Sequence, residues 1–225
     1  MKMKFKAQSK KIVDLLGLKW APIAGKFTVN AKKAKETLRK ISICDAIDVV
    51  RREGLTVGLN KENCVCPGGR HFTGLQILPS ETIASALTKK GHRIYATMNA
   101  AIASINKQPQ PVSRGNYLVL APLAKFKTAP DVVFLFVNPA QADRILGLIA
   151  FRGAEPFMYY PASSICSTIT NVLAKGRPEI NLISTFERQQ NKWSQDEFIV
   201  AMTLKDFEEA VKNIPDSGFG TAGTY

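Results

Sequence analysis

The chain has 225 residues, of which 45% are apolar and 22% are charged, and its formal net charge is +13. This length suits one sizeable domain, and the composition is typical of a globular protein rather than a disordered or fibrous one. No apolar run approaches the roughly 18 residues that a membrane span needs, so we expect no membrane span.

Most of the net charge lies in the first 40 residues, which hold twelve lysines and arginines against only Asp14 and Glu36. This pattern favours either a solvated lysine-rich face or a segment that binds nucleic acid, a membrane surface or an acidic partner. The beginning of the chain is basic like a signal peptide, but its apolar part is short, contains Asp14 and lacks a cleavage site of small residues. We therefore expect a cytoplasmic protein.

Three segments, 23–41, 132–149 and 198–214, each pass from an apolar β-rich run through a helix cap to a helical pattern. The predicted caps are Asn30, Asn138 and Thr203, because short polar side chains satisfy the free N–H groups of a first helical turn. Strands and helices therefore alternate, which predicts an α/β or α+β fold with a mixed β-sheet covered by helices.

The first and second of these segments continue into similar sequences. Cys44 and Cys166 each begin a short amphipathic helix, with a glycine ten residues later and then a strand. We interpret this as an internal duplication, with halves at about 15–78 and 118–190. The predicted organisation is a basic segment at 1–14, one compact domain of two intertwined halves at 15–215, and a flexible tail at 216–225.

The four cysteines have the spacing C-x19-C-x-C-x99-C. Two of them, Cys64 and Cys66, lie in the stretch NKENCVCPGGRHFTGL, where Pro67 and the following glycines favour a turn. A turn lets both sulfurs face one centre, whereas a straight strand would send them to opposite faces. Without a secretory signal, such cysteines are more typical of thiols, metal ligands or redox groups than of structural disulfides.

Several kinds of chemistry are open to these thiols. Four thiolates could hold zinc or an iron–sulfur cluster, although the spacing matches no standard zinc ribbon or ferredoxin pattern. Thiol–disulfide exchange is an alternative, and a helix N-terminus would lower the pKa of Cys44 and of Cys166. The structural alternative is that the cysteines are small buried apolar residues.

The residues that follow Cys66 are also candidates for a site. Gly68, Gly69 and Arg70 could cradle an anion through backbone N–H groups and a guanidinium. His71 could be a ligand, a base or an ordinary loop residue. No nucleophile elbow, zinc-protease helix or dinucleotide fingerprint is present, so the sequence does not decide whether the protein is an enzyme.

A set of motifs connects the chain to a known family. They are LGLKWAPIAGKF near the start, Cys44 at the head of a helix, CPGGRHFTGL at 66–75, APDVVFLFVNPAQA at 129–142, Cys166 at the head of a second helix, and Arg188 before the DEF segment. With these motifs, the chain resembles domain of unknown function 169, an uncharacterised archaeal conserved region, from about residue 12 to about residue 205.

The resemblance implies functional positions but no established reaction. Those positions are Cys44, Cys66, Gly68, Gly69, Cys166 and Arg188. The family pattern also implies a further cysteine four residues before the late arginine, where this chain has Ser184.

Our first hypothesis is a protein that binds a metal, iron–sulfur or redox cofactor between two duplicated halves and serves a small-molecule or redox partner. Its cofactor ligands would be Cys44, Cys64, Cys66 and Cys166, in a pocket shaped by Gly68, Gly69, Arg70, His71 and Arg188. One alternative is a basic binding module in which residues 1–40 engage nucleic acid or an acidic partner and the cysteines are structural. The other is a thiol-based enzyme or sensor for a small anionic ligand.

Overall fold

The protein is described by a computed structural model that covers residues 2–30, 40–89, 94–153, 158–159 and 164–221. One seven-stranded sheet runs through it. Its strands are β1 (Ile23–Thr28), β2 (Val57–Leu59), β3 (Tyr117–Pro122), β4 (Val132–Val137), β5 (Met158–Tyr159), β6 (Glu179–Asn181) and β7 (Phe198–Met202).

The strands follow the spatial order β2-β3-β1-β4-β7-β6-β5. Neighbouring strands are antiparallel, except that β5 runs parallel to β6. The central strand β4 has the sequence VVFLFV and is buried along its whole length. Such a run of β-branched and aromatic residues suits a strand that is covered on both faces. The predicted mixed sheet is therefore confirmed.

Helices cover both faces of the sheet. The face that carries the cysteines is packed by α2 (Ile43–Glu53), α3 (Pro67–Phe72), α4 (Ser80–Thr88), α5 (Met98–Lys107), α7 (Ile165–Lys175) and α8 (Thr185–Asn191). The opposite face is packed by α1 (Lys2–Leu16), α6 (Pro139–Ala150) and α9 (Leu204–Asn213). Two apolar cores, one on each side of the sheet, result from this arrangement.

The order of the strands is symmetric about the central pair β1 and β4. Outward from that pair lie β3 and then β2 on one side, and β7 and then β6 on the other. Of β1, β2 and β3, the first in sequence, β1, is central and the last, β3, lies beside it. Of β4, β6 and β7, the first, β4, is central and the last, β7, lies beside it. An internal duplication would produce this order, and the duplication itself stays a prediction.

Two of the predicted helix caps are confirmed. Asn138 begins α6 and Thr203 begins α9, and each forms a reciprocal capping box with the third helical residue, Gln141 or Asp206. The third predicted cap, Asn30, precedes residues 31–39, which lie outside the described part of the chain.

The basic N-terminal segment forms α1, whose residues Phe5, Ile12 and Leu16 are buried in the core opposite the cysteines. Some of its lysines have partners within the fold, since Lys4 pairs with Glu208 and Lys11 donates to a backbone carbonyl. This helix is part of the folded body, and binding of nucleic acid through residues 1–40 stays a prediction.

The C-terminal tail was predicted to be flexible over residues 216–225. Within it, Gly218–Thr221 form a short helix, α10, that contacts α6, and residues 222–225 lie outside the description. Within the described ranges, none of the helices has the length and apolar character that crossing a membrane requires.

Candidate functional site

Cys44 and Cys166 occupy matching positions in α2 and α7. Both helices begin with Ser-Ile-Cys, and the caps are Ser42 and Ser164, whose side chains accept hydrogen bonds from backbone N–H groups of the first turn. Each cysteine is therefore the second residue of its helix. As predicted, both thiols lie at helix N-termini, where the backbone dipoles favour negative charge.

Cys66 lies at the start of a third helix, which corrects a prediction. The sequence predicts a turn through Pro67, Gly68 and Gly69, but the structure places all three in α3, with Cys66 as its N-cap. Proline suits the first helical position because its missing N–H would be unpaired there. The Cys66 Sγ accepts the Gly69 N–H at 3.3 Å, so the sulfur rather than a bound anion takes this donor.

The thiols of Cys66 and Cys166 both lie beside Gly68. A Cβ atom at Gly68 would be 3.8 Å from the Cys66 Sγ and 4.0 Å from the Cys166 Sγ. The glycine therefore leaves free space directly beside both sulfurs. The Cys166 Sγ also lies 2.9 Å from the Ser164 Oγ, in a hydrogen bond that either atom could donate.

Glu187 connects Cys44 to this pair. Its Oε1 accepts the Cys44 S–H at 3.5 Å and the backbone N–H of Ile165 at 3.0 Å. Ile165 directly precedes Cys166, so one carboxylate oxygen lies between the starts of α2 and α7. The structure thus brings together three of the predicted thiols, Cys44, Cys66 and Cys166, from three helix N-termini.

Cys64 lies next to these thiols but in the apolar core. It is buried, its sulfur lies 3.9 Å from the carbonyl oxygen of Cys66, and its backbone bridges Ile41. A Cβ atom at Gly69 would be 3.1 Å from the Cys64 Sγ, and 2.8 Å from a side-chain carbon of Ile43. Cys64 therefore contacts Gly69, whereas the sulfurs of Cys66 and Cys166 lie beside Gly68.

Burial raises the pKa of all four thiols. For Cys64 the pKa rises to about 11. For Cys44 it rises well above the usual value, and Glu187 is the next largest cause after burial. The sequence predicts lowered pKa values from the helix N-termini, but the loss of solvation outweighs that effect. The thiols are consequently protonated at neutral pH.

Two other predicted residues lie beside the thiols. The charge of Arg70 acts to lower the pKa of Cys64 and of Cys66, and its guanidinium donates to Gln76 at 3.0 Å. His71 is buried, and its Nδ1 accepts the backbone N–H of Leu78 at 3.2 Å. Burial lowers the pKa of His71, so its imidazole is neutral at neutral pH.

Arg188 has a different position from the one expected of a pocket residue. Its guanidinium donates to the backbone carbonyl of Leu182 at 2.6 Å and to that of Ser194. These bonds connect the residues on either side of α8. The preceding residue, Glu187, is the one that reaches the thiols.

Sequence reasoning did not single out Glu187, although a signal was present. Ser184 and Glu187 have the Ser-x-x-Glu spacing of a capping box, and they form one at the start of α8. Ser184, where the family resemblance implies a thiol, donates its hydroxyl to the Glu187 Oε2 at 2.9 Å. The spacing of Ser184 and Glu187 predicts the cap of α8. It does not predict the contact of Glu187 with Cys44, because those residues are 143 positions apart in the chain.

The backbone is strained immediately before this cap. Ile183 has a φ of 57°, in the left-handed region that β-branched residues avoid. Its N–H is held by the side chain of Asn181 at 2.8 Å. Strained conformations of this kind persist where the surrounding structure fixes them, and they are common at functional sites.

The geometry does not match a single metal ion. Among the residues that the structure describes, no group of three or more histidine, cysteine, aspartate or glutamate side chains is arranged so that it could hold one. The donor set of three thiols and a carboxylate is nevertheless the chemistry that thiophilic metals bind.

Comparison with known families shows where the chain belongs. The model of domain of unknown function 169, described as an uncharacterised ArCR, matches residues 11–213. The chain is a member of this family, as the sequence motifs indicated. The comparisons with curated proteins and with solved structures gave no match.

Proposed function

We propose that this protein binds a thiolate-ligated metal cofactor of the iron–sulfur type through Cys44, Cys66 and Cys166. One observation carries the proposal: three cysteines far apart in the chain come together at the N-termini of α2, α3 and α7. Three thiols in one place, from one buried and two partly exposed cysteines, are more than the packing of an apolar core requires.

The residues present fit such a group in two respects. The space beside Gly68, which a single Cβ would occupy, lies against two of the three sulfurs. In addition, three helix N-termini direct their positive ends at the site, and this stabilises the negative charge of bound thiolates. An iron–sulfur cluster at this site would take Cys44, Cys66 and Cys166 as thiolate ligands.

The raised pKa values support a metal site over a nucleophilic thiol. A reactive cysteine needs its thiolate at neutral pH, and burial at this site disfavours the thiolate. A metal ion can displace the thiol proton through the strength of the metal–sulfur bond, even though burial adds to the cost of that step. A thiol enzyme or sensor is therefore less well supported than a cofactor site.

Cys44 and Cys66 are partly exposed, whereas Cys166 is buried. A cluster bound there would supply one-electron transfer. We propose that a redox partner or a small molecule meets the site at Cys44 and Cys66.

The test is anaerobic reconstitution of the protein with iron and sulfide, followed by a UV–visible spectrum and elemental analysis of the same sample. We expect broad absorption and stoichiometric iron in the wild type. Cys44→Ser, Cys66→Ser and Cys166→Ser should each lose most of the iron while remaining folded.

Cys64→Ala is the matched control, because Cys64 contacts Gly69 in the core rather than the space at Gly68. We expect this variant to retain its iron. A folded wild type that takes up no iron, or three single serine variants that all retain it, would refute the proposal. Loss of iron from Cys64→Ala alone would make Cys64 a ligand.

A further inference from the structure

A second candidate site lies on the face of the sheet opposite the thiols. Side chains alternate along a strand, and Phe27 of β1 and Leu118 of β3 belong to the core on the cysteine side. Their neighbours Lys26 and Val119 therefore point to the other side, and these two residues are direct partners across the strands. Gly58 of β2 pairs with Val119 in the same row, so β2 adds no side chain there.

A cleft of about 460 Å³ lies at this row. Its apolar lining includes Val119, Ala121 and Phe126. Its polar lining consists of three lysines and three threonines, namely Lys26, Lys125, Lys127, Thr28, Thr56 and Thr128. None of the described residues that line it is acidic. The volume falls within the range of roughly 300–1,000 Å³ that is typical of small-molecule sites.

The segment after β3 forms one wall of the cleft. It begins with a short 3-10 helix, Leu123–Lys125, whose last residue lines the cleft. Phe126 is buried in the core on this side of the sheet, whereas Lys125 and Lys127 are exposed. Phe126 therefore anchors the segment, and the lysines before and after it both reach the cleft.

Asp131 connects this segment back to β1. Its Oδ2 accepts the Phe27 N–H at 2.7 Å, and its Oδ1 pairs with the Lys26 Nζ at 3.0 Å. Its own N–H donates to the carbonyl of Gly25 at 2.8 Å. One carboxylate thus fixes the end of the segment and offsets the charge of Lys26.

The other two lysine charges are not offset in this way. Within the described ranges, neither Lys125 nor Lys127 makes an ion pair with a carboxylate. Two ammonium groups beside one cleft repel each other, and a bound anion reverses that cost. A dianionic phosphate group matches two ammonium groups in charge, and threonine hydroxyls can donate hydrogen bonds to its oxygens.

We propose that this cleft binds a small molecule that has a phosphate group and an apolar part. Lys125 and Lys127 hold the phosphate, and Val119, Ala121 and Phe126 contact the apolar part. The cleft and the thiols lie on opposite faces of the sheet, so this site does not depend on the proposed cofactor.

The test is calorimetric titration of the full-length apo-protein at pH 8 with phenyl phosphate, inorganic phosphate and benzoate. Phenyl phosphate combines a dianion with an apolar ring. We expect it to bind about tenfold more tightly than either of the others, because inorganic phosphate lacks the ring and benzoate carries a single charge.

Variants of opposite charge effect locate the binding. The double variant K125Q/K127Q removes both unpaired charges and should weaken phenyl phosphate binding by about tenfold or more. Asp131→Asn removes the charge that offsets Lys26 but retains an acceptor oxygen, and should tighten binding by about twofold to fivefold. Lys107→Gln is the matched control, because Lys107 is exposed on α5, on the cysteine side, and should bind as the wild type does.

Weaker binding by K125Q/K127Q together with tighter binding by Asp131→Asn supports the assignment, since a loss of structure would not change the affinity in both directions. Thermal unfolding establishes that each variant is folded. If the wild type does not bind phenyl phosphate, or if K125Q/K127Q binds it as well as the wild type does, the assignment is wrong.

Two further results would also overturn it. Equal affinities for phenyl phosphate and benzoate would show that the cleft does not select a phosphate group. A single-stranded oligonucleotide that binds more tightly than phenyl phosphate, and loses that affinity in K125Q/K127Q, would make the cleft part of a nucleic-acid surface instead.

Discussion

Two polar clusters lie on the same face of the sheet, and they differ in how their charges are paired. In the arginine cluster, the buried guanidinium of Arg51 lies 4.3 Å from the centre of the Phe136 ring and 4.7 Å from that of Trp20, with Trp193 at 5.5 Å. Glu197 completes the cluster with an ion pair to Arg51 of 3.1 Å. The charge of Arg51 is therefore paired from within the protein.

The thiol site differs in each of these respects. Its three thiols are weak donors, and its carboxylate, Glu187, has no salt bridge to a cationic side chain in the described part of the chain. The arginine cluster has a cation, anions and aromatic faces together. At the thiol site, the charge of Arg70 acts on Cys64 and Cys66, but Arg70 donates to Gln76 and makes no ion pair with Glu187 among the described residues. The comparison indicates that the first cluster stabilises the fold, and it is consistent with the proposal that the second binds a metal cofactor.

The largest expected effect follows from breaking the arginine cluster. Arg51→Met leaves the partly buried carboxylate of Glu197 without its cation, and removing one partner of a buried pair costs up to about 3–5 kcal/mol. We therefore expect the free energy of unfolding to fall by about that amount, measured by denaturant titration of the apo-protein. The variant should still bind the cofactor as long as it remains folded.

Arg52→Met is the matched control. Arg52 pairs with Asp48 at 2.8 Å, but its side chain is 40% exposed, so solvent screens the pair. An exposed pair of this kind contributes about 1 kcal/mol or less. Equal losses from the Arg51 and Arg52 variants would mean that burial of the arginine cluster does not stabilise the fold.

The second effect is a pH dependence that originates in the buried thiols. Cys64 has a pKa of about 11 in the folded protein, against 9.0 for an ordinary thiol. Between these values the folded state retains a proton that the unfolded state has lost, so the free energy of unfolding falls as the pH rises. The contribution is complete below pH 9 and is lost as the pH rises through about 11. Two pKa units correspond to about 2–3 kcal/mol.

Denaturant unfolding of the wild type and of Cys64→Ala at several pH values measures this contribution. The variant lacks the titrating group, so the stability difference between the two proteins should shrink from about pH 8 to about pH 11. A difference that stays constant would show that Cys64 does not titrate as its burial requires.

The sequence predicted much of the local structure, because that part depends on neighbouring residues. The caps Asn138 and Thr203 were found from short polar residues before helical patterns, and the structure confirms both. The placement of Cys44 and Cys166 at helix starts followed from the same kind of pattern. These features need only a few residues on either side.

The rest of the site depends on contacts that no local pattern contains. The turn predicted after Cys66 was wrong. Pro67 and the two glycines that follow it form the start of a short helix, because the Cys66 sulfur caps the first turn of that helix. Glu187 was missed because its contact with Cys44 exists only once α2 and α8 pack together. Arg188 was placed in the pocket by resemblance, but its side chain bonds to backbone carbonyls instead. Side-chain direction is a property of the packed structure.

The third effect tests how tightly the core is packed behind the thiols. In Gly69→Ala, the new Cβ would lie 2.8 Å from a carbon of Ile43 and 3.1 Å from the Cys64 Sγ. Both neighbours are buried and have little room to move, so this overpacking should cost about 1–3 kcal/mol. Thermal unfolding of the apo-protein measures the loss, and a Gly69→Ala variant as stable as the wild type would contradict the packing described here.

The smallest expected change in stability comes from Gly68, the residue before Gly69. Its variant distinguishes the thiol site from the packed core most directly. In Gly68→Ala, the new Cβ makes only ordinary contacts, at 3.8 Å and 4.0 Å from the sulfurs of Cys66 and Cys166. Alanine is also a better helix former than glycine, so the apo-protein should be as stable as the wild type or more stable by less than about 1 kcal/mol. Under the proposed function, the same methyl group would occupy space that the cofactor needs.

We therefore expect Gly68→Ala to be fully folded and to take up much less iron on reconstitution than the wild type. Gly69→Ala should show the reverse, with lower stability and with iron uptake retained in the fraction that is folded. Opposite effects of the two glycine variants on stability and on iron uptake would show that Gly69 matters for packing of the core and Gly68 for space at the thiol site. If Gly68→Ala takes up a full complement of iron, the cofactor does not occupy the space at Gly68, and its proposed position beside Cys66 and Cys166 is wrong.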